Sequence, residues 1–135
     1  MTIKSSTYKW YHSLMERKHS LLKSFGFAFE GLMAEIKKGR NFRIQIVAGL
    51  IATILGLFLK LSLEEWLDLV IIITLVLILE LVNTSIEAIV DLTSPEIHPK
   101  AKLAKDVAAG AVLVASIGAV VIGALIFIPK LMALI

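Results

Sequence analysis

Four polar side chains recur along one side of an otherwise apolar stretch of this sequence. They are Glu80, Asn83, Glu87 and Asp91. At about 100° per helical residue they fall within an arc of roughly 80°, so a helix would direct all four to the same place. A carboxylate inside a membrane-spanning helix costs at least about 2.5 kcal/mol, which makes Glu80 a candidate functional residue. The alternative is a structural polar seam between helices, but unpaired acids in a dry seam would need cations.

Cationic residues follow a short connection. Pro95 and Pro99 are expected to break the helix, and Lys105 and Asp106 come early in the next one. The two helices should be antiparallel neighbours, and at about 1.5 Å per residue Glu87 and Lys105 lie at similar depth. Carboxylates near a lysine can hold Mg²⁺ and phosphate, because hard cations take oxygen ligands and an ammonium group adds a point charge.

A deeper carboxylate such as Glu80 can serve as general base for a substrate that arrives from the lipid. Phosphoryl transfer to a lipid alcohol would use this layout. A proton or cation pathway would also use buried acids, but only one of these acids is deep, and the others cluster at one membrane face.

The elements that position these residues are predicted from hydrophobic runs. The chain has 135 residues, is 58% hydrophobic and has a mean hydropathy of +0.87, above the roughly half-apolar composition of soluble domains. Apolar residues at spacings of three and four before residue 39 predict an amphipathic helix on the membrane surface. We therefore predict an all-α membrane protein of one domain, 1–135, with a surface helix at about 20–38 and spans at about 42–60, 67–91 and 100–128.

The basic residues are distributed unevenly. Nine of the 14 lysines and arginines precede Ile44. This favours an anionic membrane surface over nucleic acid as the partner. By the positive-inside rule, the N-terminus and the second loop are cytoplasmic, which predicts a multi-pass cell-membrane protein whose site faces the cytoplasm. The chain has no cysteine, so thiolate metal sites and cysteine nucleophiles are excluded.

Three sequence segments together resemble the signature of the prokaryotic diacylglycerol kinase/undecaprenol kinase family. They are the E-x-x-N-x-x-x-E-x-x-x-D run of residues 80–91, the segment S-P-E-I-H-P of residues 94–99 and the segment A-K-D of residues 104–106. The resemblance implies a homotrimer of three-span subunits with a surface helix. It also implies active sites between subunits that use MgATP to phosphorylate a lipid hydroxyl.

The resemblance also implies a role for each matching residue. Glu80 would be the general base and Asn83 its supporting partner. Glu87 would bind the metal. The nucleotide would be held by Asp91, Lys105 and Asp106.

One position departs from the family pattern. Members usually carry a second metal-binding glutamate where this sequence has Gly39. Glu35, one turn earlier, is the residue of this chain that could reach the ion instead.

The family divides between undecaprenol and diacylglycerol as substrate. The loop at residues 94–99 and the end Ile126-Phe-Ile-Pro-Lys130 resemble undecaprenol kinases. Undecaprenol is therefore the expected substrate and diacylglycerol the alternative. A remoter alternative is a non-enzymatic membrane protein, such as an ion-conducting or regulatory subunit.

Overall fold

The computed structural model describes residues 21–94 and 98–134. These residues form four helices and no strand: α1 (Leu21–Lys38), α2 (Arg40–Phe58), α3 (Leu63–Thr93) and α4 (Pro99–Met132). Helices α2, α3 and α4 are long and apolar enough to cross a membrane. The predicted all-α class with three spans is thus confirmed, whereas Pro95 lies outside the described residues.

A single residue separates α1 from α2. Gly39 has an extended backbone, with φ −74° and ψ 105°, and its N–H donates to the carbonyl oxygen of Glu35 at 2.7 Å. The chain divides into two compact units, and the boundary falls within α1: one unit ends at Ala34 and the other begins at Glu35. All the residues predicted to form the site therefore belong to the second unit.

The start of α3 is defined by a capping box. The Ser62 hydroxyl oxygen accepts a hydrogen bond from the Glu65 N–H at 3.3 Å, and the Glu65 carboxylate accepts one from the Ser62 N–H at 2.6 Å. This reciprocal pair satisfies two backbone donors that the first helical turn leaves free. The cap sets the start of the helix that carries the acidic stripe.

Helices α3 and α4 form an antiparallel pair. Asp91 near the end of α3 contacts Lys105 near the start of α4 at 2.9 Å. At the opposite ends, Glu65 contacts Lys130 at 3.0 Å. The predicted antiparallel arrangement is confirmed by these two ion pairs.

Helix α2 packs against the beginning of α3 through a glycine. A Cβ atom on Gly56 would lie 2.8 Å from Leu61 Cδ1 and 3.0 Å from the Trp66 ring. Leu61 belongs to a small buried cluster with Leu69 of α3 and Ile126 of α4. This close approach holds the three spans together at the end of the bundle opposite Asp91.

Candidate active site

Glu80 is buried and is bound from a neighbouring helix. Its side chain is 5% exposed. The Nε2 atom of Gln45, on α2, donates a hydrogen bond to Glu80 Oε2 at 2.9 Å. Gln45 was not among the residues predicted from the sequence, although a glutamine near the start of an apolar span is a detectable signal.

Asn83 lies between Glu80 and Glu87 along α3 and bonds Glu87. Its Nδ2 atom donates to Glu87 Oε1 at 3.2 Å, one turn further along α3. Its Oδ1 atom is buried and has no donor among the described residues. Glu80, Asn83 and Glu87 therefore share one face of α3, as their spacing predicts.

Glu35 lies at the same place, although it comes from α1. Its side chain is 9% exposed, and its Oε1 atom accepts a hydrogen bond from the Thr84 hydroxyl at 3.2 Å. A Cβ atom on Gly39 would overlap the Glu35 carboxyl group. Glu35 thus occupies the space from which a side chain at position 39 would begin.

These acids surround an open cleft of about 300 Å³. We call it the acidic cleft, and it is lined by Glu35, Glu80, Asn83 and Glu87 together with Lys38 and Arg40. The two basic side chains were not predicted as site residues. Their presence makes the cleft able to hold an anionic group as well as a cation.

Asp91 does not line the acidic cleft. It is exposed, and its carboxylate accepts a hydrogen bond from Lys105 at 2.9 Å. Asp106 pairs with Lys102 on its own helix and not with the α3 stripe. Of the predicted nucleotide-binding residues, Asp91 and Lys105 are therefore brought together and Asp106 is held apart.

The acids of the cleft fit a magnesium ion. The described residues contain no group of three acidic, histidine or cysteine side chains that could hold a metal alone. Mg²⁺ in kinases, however, is commonly bound by one or two carboxylates, with substrate phosphates and water completing its shell. Glu35 and Glu87 can supply two carboxylates, and the free Oδ1 of Asn83 adds an oxygen nearby.

A second cavity continues from Glu80 into the bundle. This polar cavity, of about 340 Å³, is lined by Gln45, Glu80, Asn83 and Ser116 with apolar neighbours such as Val112. It shares Gln45, Ile44 and Ser116 with a deeper apolar groove, also of about 340 Å³. The groove is lined by small and aliphatic residues, among them Ala48, Gly49, Ala52, Ile73, Val76 and Ala119.

The arrangement places a buried carboxylate between two different environments. On one side is a cleft that can hold phosphate and a cation, and on the other is an apolar groove between membrane-spanning helices. A group at Glu80 could take a proton from an alcohol on the lipid side and release it towards the phosphate side.

Comparison with known proteins agrees with this chemistry. The family model described as "Prokaryotic diacylglycerol kinase" matches residues 26–127. The undecaprenol kinase of Bacillus subtilis (strain 168) is 43% identical over 109 residues, covering 81% of this chain and 89% of that protein. A diacylglycerol kinase of Synechocystis sp. is 41% identical over 116 residues, covering 85% of this chain and 66% of that protein. The diacylglycerol kinase of Escherichia coli (strain K12) is 35% identical over 101 residues, covering 75% of this chain and 83% of that protein.

These matches decide against an ion-conducting or regulatory subunit. Members of the family are membrane lipid kinases, which transfer phosphate from ATP to an alcohol group. Three candidate spans in the structure agree with a membrane location. The chain belongs to the prokaryotic diacylglycerol kinase family.

Proposed function

We propose that this lipid kinase phosphorylates undecaprenol to undecaprenyl phosphate at the cytoplasmic face of the cell membrane. The observation that carries the mechanism is the position of Glu80, buried where the acidic cleft meets the polar cavity. The choice of undecaprenol is supported by the similarity to the Bacillus subtilis enzyme over 89% of its length.

Glu80 acts as the general base in this proposal. The hydroxyl group of the lipid gives its proton to the Glu80 carboxylate while its oxygen forms a bond to the γ-phosphorus of ATP. The bond from the γ-phosphorus to the bridging oxygen breaks, and ADP leaves with that electron pair. A positioned base contributes about 10²- to 10⁴-fold to such a step. Asn83 supports the site by holding Glu87 one turn away.

Glu87 and Glu35 hold Mg²⁺ in this proposal. The ion would neutralise negative charge on the phosphates. Both carboxylates line the acidic cleft and both are bound by uncharged donors, Asn83 and Thr84, so neither is neutralised by the group it bonds. Glu35 then supplies the carboxylate that Gly39 lacks.

Asp91, Lys105 and Asp106 bind the nucleotide in this proposal. Lys105 can exchange Asp91 for phosphate oxygens, because the ion pair is exposed and such pairs contribute only about 0–1 kcal/mol. Asp106 would have to leave Lys102 before it could hold the nucleotide. Lys38 and Arg40, at the edge of the acidic cleft, add positive charge for the same phosphates.

The active form is a homotrimer in this proposal. In the most apolar stretches of α2, α3 and α4, only 11%, 28% and 17% of residues are buried within one chain. The large remaining surface is available to lipid and to further copies of the chain.

The test is transfer of labelled γ-phosphate from MgATP to undecaprenol and, in parallel, to diacylglycerol in mixed micelles. We expect label on undecaprenol well above diacylglycerol, and a loss of at least about 100-fold in kcat for Glu80→Gln. The matched control is Glu64→Gln, which changes an exposed acid at the start of the same helix and should leave turnover unchanged. No label on either lipid from folded protein with Mg²⁺ would contradict the proposal.

Diacylglycerol is the second candidate substrate. It is favoured by the Synechocystis and Escherichia coli relatives, which are diacylglycerol kinases. A higher kcat/KM for diacylglycerol than for undecaprenol in the same assay would select this alternative, with the same roles for the residues of the site.

A further inference from the structure

Gln45 forms a hydrogen bond that joins α2 to α3 at Glu80. It lies on α2, 35 residues before Glu80, and its Nε2 atom donates to Glu80 Oε2 at 2.9 Å. Among the residues that the structure describes, Gln45 is the one whose side chain bonds the Glu80 carboxylate. The contact is therefore a tertiary one, formed only when α2 packs against α3.

This contact restricts the orientation of the carboxylate. The last torsion of a glutamate side chain is broad and roughly two-fold, so an unheld carboxylate rotates easily. A hydrogen bond from an uncharged amide to a carboxylate is charge-assisted, and it engages one oxygen only. Glu80 Oε2 is held by Gln45, which leaves Glu80 Oε1 for another donor.

The other end of the Gln45 amide is unused. Its Oε1 atom is buried and has no donor among the described residues, and the same is true of Asn83 Oδ1. Both side chains line the polar cavity beside Glu80. The cavity wall thus presents amide oxygens that a ligand with a hydrogen-bond donor would satisfy.

We propose that Gln45 is a positioning residue for phosphoryl transfer, orienting the Glu80 carboxylate towards a lipid hydroxyl group that enters the polar cavity. The inference rests on the proposed kinase function. An alcohol O–H can donate to these acceptors, and the apolar groove that shares Ile44, Gln45 and Ser116 with the cavity can take the adjoining hydrocarbon. Gln45 acts through Glu80, so its loss should affect the chemical step more than ATP binding.

Two variants separate the hydrogen bond from the shape of the side chain. Gln45→Met removes the polar group and keeps the length of the side chain, and Gln45→Asn keeps the amide but shortens the side chain by one carbon, which takes its N–H out of reach of Glu80. The control is Thr53→Val, which changes a polar residue of the same helix whose hydroxyl donates to the Gly49 carbonyl oxygen. We measure kcat and the KM values for ATP and the lipid alcohol, together with the melting temperature of each variant in the same micelles.

We expect both Gln45 variants to lower kcat by about 10- to 100-fold while the KM for ATP stays within about twofold, because the reacting groups are misaligned and the nucleotide site is intact. Thr53→Val should match the wild type. Wild-type kcat in Gln45→Met or in Gln45→Asn would overturn the inference and leave the kinase function standing. A wild-type protein that phosphorylates no lipid alcohol would overturn both.

Unfolding is distinguished from misalignment by a further pair of measurements. If Gln45→Met melts below the working temperature, Gln45→Asn and Gln45→Leu are compared at a temperature where both remain folded. A kcat equal to that of the wild type in either of these folded variants would contradict the positioning role. Reduced kcat with an unchanged KM for ATP in both of them would support it.

Discussion

At the scale of single residues, the partner of each acid decides what that acid can do. Glu35, Glu80 and Glu87 each accept a hydrogen bond from an uncharged side chain. The donors are Thr84, Gln45 and Asn83, respectively. Asp91, in contrast, is paired with Lys105. In the proposed mechanism the carboxylates of the acidic cleft bind a cation, and Lys105 leaves its exposed ion pair to bind phosphate.

The relation between Glu35 and Gly39 leads to a prediction about metal dependence. We expect Glu35→Ala to raise the Mg²⁺ concentration needed for half-maximal activity, because one of two carboxylates is removed. Gly39→Glu alone should also lower activity, because a side chain at position 39 collides with the Glu35 carboxyl group. The double variant Glu35→Ala/Gly39→Glu should recover part of the loss, since the space is free and a carboxylate is restored.

The measurement is activity against Mg²⁺ concentration at saturating ATP for all three proteins. Glu30→Ala is the control, because it removes an exposed acid from the same helix. An unchanged Mg²⁺ dependence in Glu35→Ala would show that Glu35 does not bind the ion.

At the scale of elements, α3 carries the site and its neighbours hold it in register. At about 1.5 Å per residue its 31 residues span roughly 46 Å, more than the ~30 Å of a bilayer's hydrocarbon core. The helix therefore extends beyond the core, and its acids are spread from a buried position at Glu80 to an exposed one at Asp91. Contact with α2 at Gly56 and with α4 at Lys130 fixes the far end of α3.

The close approach at Gly56 predicts that substitution by alanine changes stability differently at Gly56 and at Gly118. Gly56→Ala should destabilise the bundle by about 1–3 kcal/mol, because the added Cβ meets Leu61 and Trp66 within 3.0 Å. Gly118→Ala should be neutral or stabilising by up to about 1 kcal/mol, because a Cβ there meets nothing within 4 Å and alanine favours helix. Thermal unfolding in detergent measures both, and equal melting temperatures for the two variants would contradict the packing argument.

At the scale of the whole molecule, one chain leaves most of its membrane-facing surface uncovered. Large apolar side chains are exposed on all three spans, among them Ile51, Ile71 and Val120 at 60%, 62% and 72%. In lipid such surface is not driven together by the hydrophobic effect, so association depends on packing and on hydrogen bonds between helices. Small residues on these spans, such as Gly56 of α2 and Ala119 of α4, allow helices to approach closely.

The proposed homotrimer predicts the outcome of cross-linking. Lysine-reactive cross-linkers applied to the protein in lipid bilayers should give a ladder that ends at three chains and does not lengthen with more reagent. Dilution with excess lipid is the control, because random collisions decrease with dilution and a stable trimer does not. A ladder that ends at one or two chains under both conditions would contradict the trimer.

Much of this protein follows from its sequence. The three apolar runs determined an all-α membrane fold, because only helices satisfy their own backbone groups in lipid without closing a barrel. The spacing of Glu80, Asn83 and Glu87 put them on one helical face, since helical geometry alone fixes which positions align. The short connection made α3 and α4 antiparallel neighbours.

Other features were decided only by tertiary structure. Gln45 bonds Glu80 across 35 positions of the sequence, and Thr84 bonds Glu35 across 49 positions. No local periodicity encodes such distances. Asp91 shares the predicted stripe but turns to Lys105, because it lies beyond the buried part of α3 where a cation is within reach. Sequence thus determined which face of α3 carries the acids, and packing determined which side chains hold each of them.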